Sequence, residues 1–363
     1  MRCSLIMPTH NRSGVLRDTI ERIGSLCVGT QQDDLEIVVM DNASSEPVAL
    51  PRVLDNGIRV QLIRLEENLN TAARNIAAAH AQGRWLFMLD DDSSPLDLDF
   101  VCMLDDVPAE IAAIGAEIFL PSGEHEAGGL PEVIIGCGCA IRRDMFLEVG
   151  GYDASFGYYA EEYDLCAKLI EGGRRVVHTR EIRVLHRKVQ AGRDFGEILF
   201  RLVRNNTWVM QRYAPAQFRQ KAIDDVLDRY RLIANREGVG ESYERAIRVV
   251  ESTLGSQARV PLEETGWERF TGRSAVLSHL SSRLSGVSGP VQILAARQAK
   301  GREIIEQVLV DLGFEIVDEA EDATARVLGS LSPGPMLDLA QLHPDAISPW
   351  ELGVGLDPAH HSR

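Results

Sequence analysis

The alternation of short apolar runs with helix-period segments constrains the fold of this chain more than any other feature. The apolar runs at 3–7, 35–40, 59–64 and 85–89 have the length of buried strands, and the segments at 17–26 and 71–81 repeat their apolar residues with helical spacing. Strands that alternate with helices form a mostly parallel sheet covered on both faces. We therefore predict an α/β fold whose first part, residues 1–193, is a Rossmann-like domain.

Polar side chains follow three of these predicted strands at the points where the strands end. They are Thr9, Asn11 and Arg12 after the first strand, Asp41 and Asn42 after the second, and Asp90, Asp91 and Asp92 after the fourth. In parallel α/β sheets, ligands bind outside the carboxyl ends of the strands. The sequence therefore predicts a ligand site at this edge of the sheet.

The rest of the chain divides into a helical segment and a small α/β unit. Residues 194–285 show helical periodicity. The pattern at 286–363 predicts a small α/β unit with an acidic tail, and this unit begins with the linker-like stretch GVSGP at 286–290. The turn AARQAKG at 295–301 keeps only Gly301 of a glycine-rich loop, so we expect no dinucleotide site there. We expect the part after Pro333 to run over the surface.

Charge and cysteine content restrict the partners and the location. The 54 acidic residues against 38 basic ones give a net charge of −16, which disfavours nucleic-acid binding. Six scattered cysteines without a disulfide framework favour a reducing compartment. No apolar run has the length of a membrane span. We expect a cytoplasmic protein without a transmembrane segment; peripheral binding at the inner face of the membrane and homo-oligomerisation are left open.

The triplet Asp90, Asp91 and Asp92 is a candidate cation site. Adjacent carboxylates repel one another unless a cation shares them, and hard oxygen ligands suit Mg²⁺ or Mn²⁺. The alternative is a solvated acidic turn. His186 follows an apolar run at 181–185 and is either a metal ligand at a strand end or a structural histidine.

A second acidic cluster, Glu161, Glu162 and Asp164, is a candidate proton acceptor. Like charges in contact raise the pKa of one carboxylate toward neutrality, which suits a general base. The alternative is an ordinary helix N-terminus, where the helix dipole favours acidic residues. Cys137 and Cys139 have no second pair at zinc-ligand spacing, so we interpret them as small residues that line the cleft.

Several short segments occur together in a fixed order. They are PTHNR at 8–12, DNASS at 41–45, NLNTAARN at 68–75, LDDD at 89–92, GCGCAIRRDMFLEVGGYD at 136–153, EEYDLCAKLIEGGRRVVH at 161–178 and a weaker RNNTWVM at 204–210. In this order they resemble the family-2 glycosyltransferases of the GT-A fold, over residues 1–210. The resemblance implies a sugar transfer from a nucleotide-diphosphate donor to a hydroxyl acceptor with inversion, and Mg²⁺ or Mn²⁺ as cofactor.

The resemblance also assigns roles to the matching positions. It places the donor nucleotide against Pro8, Thr9, Asn11, Arg12, Asp41, Asn42, Asn70, Arg74, Asp90 and Asp91. It implies that Asp92 and His186 hold the metal, that Glu162 is the catalytic base with Asp164 supporting its loop, and that Gly138, Cys139 and Glu161 lie on the acceptor side. Two departures from the family pattern are Glu162, where Asp is more usual, and Thr71-Ala72, where a glycine is common.

The sequence leaves the substrates and two competing functions open. UDP, dTDP and GDP are alternatives for the donor nucleotide, and a glycan, a lipid-linked sugar or a small molecule for the acceptor. A nucleotidyltransferase would carry a basic glycine-rich loop early in the chain, where NRSGVLR offers only Gly14. A non-catalytic binding or assembly module of the same fold is the other competitor.

Overall fold

The protein is built on two β-sheets joined by a helical region. A computed structural model describes residues 1–27, 32–189, 194–295 and 300–356, and the elements below refer to these residues. The strands are β1 (Cys3–Thr9), β2 (Leu35–Asp41), β3 (Arg59–Arg64), β4 (Trp85–Met88), β5 (Ser93–Pro95), β6 (Ile111–Phe119), β7 (Cys139–Arg142), β8 (Arg175–His186), β9 (Val291–Leu294), β10 (Ile316–Val317) and β11 (Ala325–Leu328).

The helices follow the predicted alternation in the first part of the chain and then continue one after another. They are α1 (Ser13–Gly24), α2 (Ala73–His80), α3 (Phe100–Met103), α4 (Arg143–Glu148), α5 (Glu161–Glu171), α6 (Phe195–Tyr213), α7 (Ala216–Glu237), α8 (Gly240–Thr253), α9 (Glu264–Thr271), α10 (Arg273–Arg283), α11 (Arg302–Asp311) and α12 (Pro333–Leu342). The helical character predicted for 194–285 is confirmed.

The larger sheet has the strand order β3-β2-β1-β4-β7-β6-β8-β5. Strands β1 to β4 are parallel to one another, β7 runs antiparallel to both of its neighbours, and β6 pairs with β8 in parallel. Thr9 at the end of β1 is paired with Asp41 at the end of β2. The predicted α/β fold with a mostly parallel sheet is therefore confirmed, and the predicted strand ends lie level along one edge.

Burial on both faces explains why the first strands are continuous apolar runs. Every residue of β1 and β2 is buried. Leu5 and Met7 share a core cluster with Leu16 of α1, whereas Ile6 belongs to the cluster that contains Ala73 and Ala77 of α2. Alternate residues of one strand thus face helices on opposite sides of the sheet, as expected for a doubly covered parallel sheet.

The C-terminal part shares its core with the larger sheet. The three-stranded sheet has the order β10-β9-β11, all parallel. Val291 and Met336 lie in the same buried cluster as Leu169 of α5 and Phe270 of α9. Domain boundaries near 193 and 285 stay predictions, but the packing across the second of them is apolar and continuous.

The expectation that the chain after Pro333 runs over the surface is wrong. Residues 333–342 form α12, in which Pro333, Gly334, Pro335, Met336 and Leu339 are buried. Proline is favoured in the first turn of a helix, where its missing N–H needs no partner, so PGPM starts a helix here. Of the turn at 295–301, residues 296–299 lie outside the described residues, and the absence of a dinucleotide site stays a prediction. No helix in the described parts of the chain is long and apolar enough to cross a membrane.

Candidate active site

The carboxylates that follow β4 are held by two arginines. The Arg12 guanidinium contacts Asp91 Oδ1 and Asp92 Oδ2, both at 2.8 Å. The buried Arg74 contacts Asp90 Oδ1 at 2.6 Å, and Thr9 Oγ1 donates to Asp91 Oδ2 at 2.7 Å. The repulsion within the triplet is therefore offset partly by residues of the chain itself. Asp90 is the most exposed of the three, with 37% of its side chain accessible, and faces the cleft.

The three aspartates differ in how readily they lose a proton. Burial raises the pKa of Asp91 to about 6, against the opposing charge of Arg12. Burial acts in the same direction on Asp92, but the hydrogen bonds and charges of His186 and Arg12 outweigh it and lower its pKa. Asp92 is therefore an anion at neutral pH, although it is almost completely buried.

The loop after β2 positions the loop before α2. Asp41 is buried, accepts a hydrogen bond from Ser44 N at 2.9 Å and lies 3.4 Å from Arg64. Asn42 accepts from Leu69 N at 3.1 Å and donates to Asn70 O at 3.0 Å. This arrangement brings two of the motifs predicted for the donor nucleotide into one surface. The contacts of Pro8, Asn11, Asn42 and Asn70 with a nucleotide stay predictions.

Strained backbone is concentrated around this edge. Within the described ranges, the non-glycine residues with positive φ are Asn11, Ala43, Asn70, Tyr159, Ala160 and Lys188. Each one belongs to a loop that follows β1, β2 or β8, or that precedes α2 or α5. Such conformations cost free energy and persist where the surrounding structure holds them, most often at binding and catalytic sites.

His186 and Asp92 form a candidate metal seat. His186 Nε2 and Asp92 Oδ1 lie 3.3 Å apart, both are buried, and neither has a further hydrogen-bond partner in the part of the chain that the structure describes. Burial opposes protonation of the imidazole, but Asp92, Cys137 and Glu126 outweigh it and raise the pKa of His186 to about 12. A divalent cation bound between the two atoms would displace the proton on Nε2, because metal ligands bind in their deprotonated form. The pair fits such a cation, and its role as metal ligands stays a prediction.

Two further residues that the sequence did not assign to the metal lie at this seat. The carboxylate of Glu126 lies 2.7 Å from His186 Nδ1, and Cys137 Sγ lies 3.5 Å from the same nitrogen. Donor atoms of Asp90, Cys137 and His186 all lie within 4.8 Å of one another. Cys137 therefore adds a sulfur beside the seat instead of lining the cleft as a small residue. Hydrogen bonding of Nδ1 to a carboxylate leaves Nε2 to face a metal.

The candidate base Glu162 lies in the first turn of α5. Its Oε1 accepts a hydrogen bond from Gly136 N at 3.0 Å, and a side chain at position 136 would press against that carboxylate. The side chain is half-buried, and burial raises its pKa above the ordinary glutamate value. Arg74, which contacts Asp90, also acts electrostatically on Glu162. Gly136 is followed by Cys137, whose Sγ lies 3.5 Å from His186 Nδ1, so adjacent residues contact the candidate base and the imidazole.

The other acidic residues of α5 have different surroundings. Glu161 is 4% exposed, and burial followed by the charge of Glu162 raises its pKa well above the usual value. Asp164 is fully buried and is bound by Arg212 at 2.9 Å, the Tyr213 hydroxyl at 2.8 Å and Lys168 at 2.6 Å. Asp164 therefore joins α5 to α6, and the supporting role that the resemblance implied for it stays a prediction.

Two residues predicted for the acceptor side lie in the core instead. Cys139 is fully buried and starts β7, paired with Met88 of β4. A Cβ at Gly138 would lie 3.0 Å from Ile118, so this glycine is needed for close packing and not for an open surface. Because β7 fills the gap between β4 and β6, its residues face core on both sides.

Sequence reasoning missed residues that act through long-range contacts. Asn205 Nδ2 donates to the carbonyls of Phe156, Tyr158 and Tyr159, at 3.0, 2.8 and 2.6 Å, and so holds the loop before α5. Lys300 contacts the Tyr163 hydroxyl, and burial lowers its pKa to about 7. The RNNTWVM segment was a signal for Asn205.

Comparison with known proteins gives a family match over the N-terminal part. Residues 4–107 match the family described as Glycosyl transferase family 2. The chain is 26% identical over 223 residues to the O-antigen biosynthesis protein RfbC of Myxococcus xanthus, covering 51% of this chain and 17% of that protein. It is 25% identical over 242 residues to the glucosyl-dolichyl phosphate glucuronosyltransferase of Haloferax volcanii, covering 55% of this chain and 74% of that protein. The resemblance drawn from the motifs is thereby confirmed: the N-terminal part is similar to the family-2 glycosyltransferases.

Solved structures with related folds have low sequence identity to this chain. GalNAc-T7 with UDP, GalNAc and Mn²⁺ has a TM-score of 0.49 and 18% identity, covering 60% of this chain and 48% of that one. The first 349 residues of Staphylococcus aureus TarS with UDP-GlcNAc give 0.49 and 12%, covering 86% and 93%. The mannosyltransferase PcManGT from Pyrobaculum calidifontis with GDP-Man and Mn²⁺ gives 0.46 and 15%, covering 78% and 82%.

Proposed function

We propose that the protein transfers a sugar from a nucleotide-diphosphate donor to an acceptor hydroxyl, in one metal-dependent displacement that inverts the anomeric centre. The observation that carries this proposal is the closeness of the candidate base to the candidate metal seat. Gly136 N donates to Glu162 Oε1, and the next residue, Cys137, places its Sγ 3.5 Å from Nδ1 of His186, which faces Asp92. The family-2 match over residues 4–107 supports the class of reaction.

Glu162 would act as the general base. Its Oε1 is fixed by Gly136 N, so the carboxylate is held in one place while it takes the proton from the acceptor hydroxyl. A raised pKa suits this task, because a base is most effective when its pKa lies near the working pH. The hydroxyl oxygen then attacks the anomeric carbon from the side opposite the diphosphate, and the bond to the diphosphate breaks. Such a displacement needs no protein nucleophile.

The residues at the strand ends would hold the donor. Asp90 faces the cleft and is oriented by Arg74, so its free oxygen can accept from a ribose hydroxyl. Asp92 and His186 would hold Mg²⁺ or Mn²⁺, which when bound neutralises charge on the leaving diphosphate. Arg12 holds Asp91 and Asp92 together through one contact to each carboxylate.

A donor screen tests the proposal directly. We expect one of UDP, dTDP and GDP to raise the melting temperature in the presence of Mn²⁺, since ligand at 100 times its dissociation constant stabilises by about 2.7 kcal/mol. The matching nucleotide sugar should then release nucleoside diphosphate slowly without acceptor. Release of pyrophosphate from a nucleoside triphosphate would instead identify a nucleotidyltransferase. Tight nucleotide binding without any turnover would identify a binding module.

The metal requirement has its own test. Asp92→Ala should abolish Mn²⁺-dependent donor binding, because it removes the orphaned carboxylate oxygen that faces His186. Asp97→Ala is a matched control, since Asp97 pairs with Arg183 at the protein surface. Full activity of Asp92→Ala, or activity of the wild type that EDTA does not change, would refute the metal dependence.

A further inference from the structure

The loop that follows β6 connects the C-terminal unit to the candidate metal seat. Glu126 of this loop is buried between His186 Nδ1 at 2.7 Å and Lys188 Nζ at 2.8 Å. It is therefore the carboxylate that orients the imidazole. The segment before it folds back on β6, where Glu126 N donates to Ile118 O at 2.8 Å. Further contacts to this loop come from the C-terminal unit.

Helix α12 contacts this loop on both sides of Glu126. Asp338 lies 2.6 Å from His125 Nδ1 and also accepts from His125 N at 3.2 Å. Ser332, just before α12, accepts a hydrogen bond from Gly128 N at 2.8 Å, and its hydroxyl also donates to Gly128 O. These contacts join residues more than 200 positions apart in the sequence.

The helix also approaches the backbone of Glu126 itself. A Cβ added at Gly334 would overlap the carbonyl oxygen of Glu126 and lie 2.9 Å from His125 Cβ. Only a residue without a side chain allows the first turn of α12 to lie this close. Gly334 has a negative φ, which any residue can adopt. Glycine is therefore needed here because it has no side chain, and not because of its backbone conformation.

From these contacts we infer that the C-terminal α/β unit supports the metal site. Helix α12 positions Glu126, and Glu126 orients His186 toward the cation. Glu126, Gly334 and Asp338 are positioning residues for a divalent cation bound by Asp92 and His186. This inference rests on the metal seat in the proposed function. It explains why a unit with no expected dinucleotide site is packed against the N-terminal domain.

Measurement of Mn²⁺ binding to the full-length protein tests the inference without relying on turnover. The dissociation constant for Mn²⁺ is measured by electron paramagnetic resonance of the free ion, with UDP and then GDP present. Glu126→Gln and Gly334→Ala should each weaken Mn²⁺ binding about 10-fold to 100-fold, the usual effect of losing a residue that orients a metal ligand. Asp338→Asn should weaken it less, because the contacts of Ser332 remain.

Two control variants separate positioning from general effects. Glu124→Gln removes the same charge from the same loop at an exposed position. Gly240→Ala adds a methyl group where nothing lies within 4 Å. Both should bind Mn²⁺ like the wild type. All variants should keep metal-free nucleotide binding, which a general loss of structure would reduce.

The outcomes distinguish a failure of this inference from a failure of the proposed metal seat. If the wild type binds Mn²⁺ and Glu126→Gln and Asp338→Asn bind it equally well, the inference is overturned and the metal site stands. These two variants decide the question even if Gly334→Ala does not fold. If Glu124→Gln weakens binding as much as Glu126→Gln, the effect is loop charge and the inference is also overturned. If the wild type binds no Mn²⁺ with either nucleotide, the metal seat itself is refuted.

Discussion

Two neighbouring carboxylates on α5 have opposite tasks because their surroundings differ. Glu162 reaches the cleft and receives one backbone hydrogen bond, whereas Asp164 is fully buried and receives contacts from an arginine, a tyrosine and a lysine. A carboxylate held by two cations and a hydroxyl is fixed in place, so it cannot accept a proton from a substrate without losing those contacts. The environment, and not the residue type, separates the candidate base from the structural acid.

Substitution of Glu162 tests this separation. Glu162→Gln keeps the size of the side chain and an oxygen for Gly136 N, but cannot accept a proton. Donor affinity should change little, while turnover should fall about 10²-fold to 10⁴-fold. Asp164→Asn should instead lower the melting temperature, because Arg212 and Lys168 lose their anion. A normally active Glu162→Gln together with a stable, inactive Asp164→Asn would move the base to Asp164.

The pH profile gives a second test at the same residue. Burial raises the pKa of Glu162 above its ordinary value of 4.5, so the base becomes protonated and inactive at a higher pH than an exposed glutamate would. The acid limb of kcat/KM should therefore lie above pH 4.5, with activity rising as pH increases through it. Metal-free nucleotide binding, measured over the same range, serves as the control. A kcat/KM that is constant down to pH 4.5 would contradict the assignment.

A buried histidine makes the stability of the protein sensitive to acid. Burial lowers the pKa of His178 to about 4, even though its Nε2 lies 3.0 Å from Leu130 O. The unfolded chain binds this proton below its ordinary pKa of 6.5, so the free energy of unfolding falls as pH decreases from 6.5 toward 4. In His178→Gln, this part of the decrease, on the order of 3 kcal/mol, should be absent from denaturant titrations. An equal decrease in both proteins would contradict the shift.

At the scale of elements, the strained loop before α5 is held by α6. Tyr159 and Ala160 have φ values of 72° and 66°, a left-handed conformation that costs free energy in non-glycine residues. Three carbonyls of this loop accept hydrogen bonds from the single side-chain amide of Asn205, which is fully buried. Helix α6 thus fixes the position at which α5 starts, and with it Glu162.

Removal of that amide tests the role of α6. Asn205→Ala leaves the carbonyls of Tyr158 and Tyr159 without this donor, whereas Phe156 O keeps its hydrogen bond from Arg204. The loss costs about 1–3 kcal/mol and lets the loop move. Turnover should fall at least tenfold while donor binding is kept. The matched control is Asn206→Ala on the next residue, whose amide donates to Leu202 O and the Tyr230 hydroxyl. Equal losses of turnover in both variants would show that α6 has no specific effect on Glu162.

At the scale of the whole molecule, the C-terminal unit completes the core. Val291, Ile293 and Met336 share one apolar cluster with Leu169 and Phe270, which belong to elements before residue 285. Buried apolar surface of this kind couples the two parts, since neither can unfold without exposing the other. We therefore expect the helical segment and both sheets to unfold as one cooperative structure.

Calorimetry and truncation test this coupling. The full chain should unfold in a single transition, and residues 1–285 alone should lose sharp unfolding and bind a dye for exposed apolar surface. Truncation exposes the apolar faces of Leu169 and Phe270 to water, which costs about 1.5–3 kcal/mol per fully exposed large side chain. Two separate transitions in the full chain, together with a stable 1–285 fragment, would refute the common core.

The sequence by itself determined the local order of the fold and the place of the site. Apolar runs buried on both faces predicted the strands and their parallel pairing, and the polar residues after them marked the edge where a ligand is expected, because strand ends of a parallel sheet meet there. Asp92, His186 and Glu162 were predicted from these signals together with the family motifs. Cys139 was misplaced because nothing local shows that β7 inserts between β4 and β6.

Only the tertiary structure decided which side chains support the site. Glu126 reaches His186 across 60 positions of sequence, Asn205 reaches Tyr159 across 46, and Asp338 reaches His125 across 213. None of these pairs leaves a periodic or spacing signal, since the contacts depend on how whole elements pack. The same holds for α12, whose proline and glycine indicate a surface turn until packing against the loop after β6 buries them. The candidate site residues could be predicted from local sequence. The residues that position them could not, because their contacts exist only once the chain has folded.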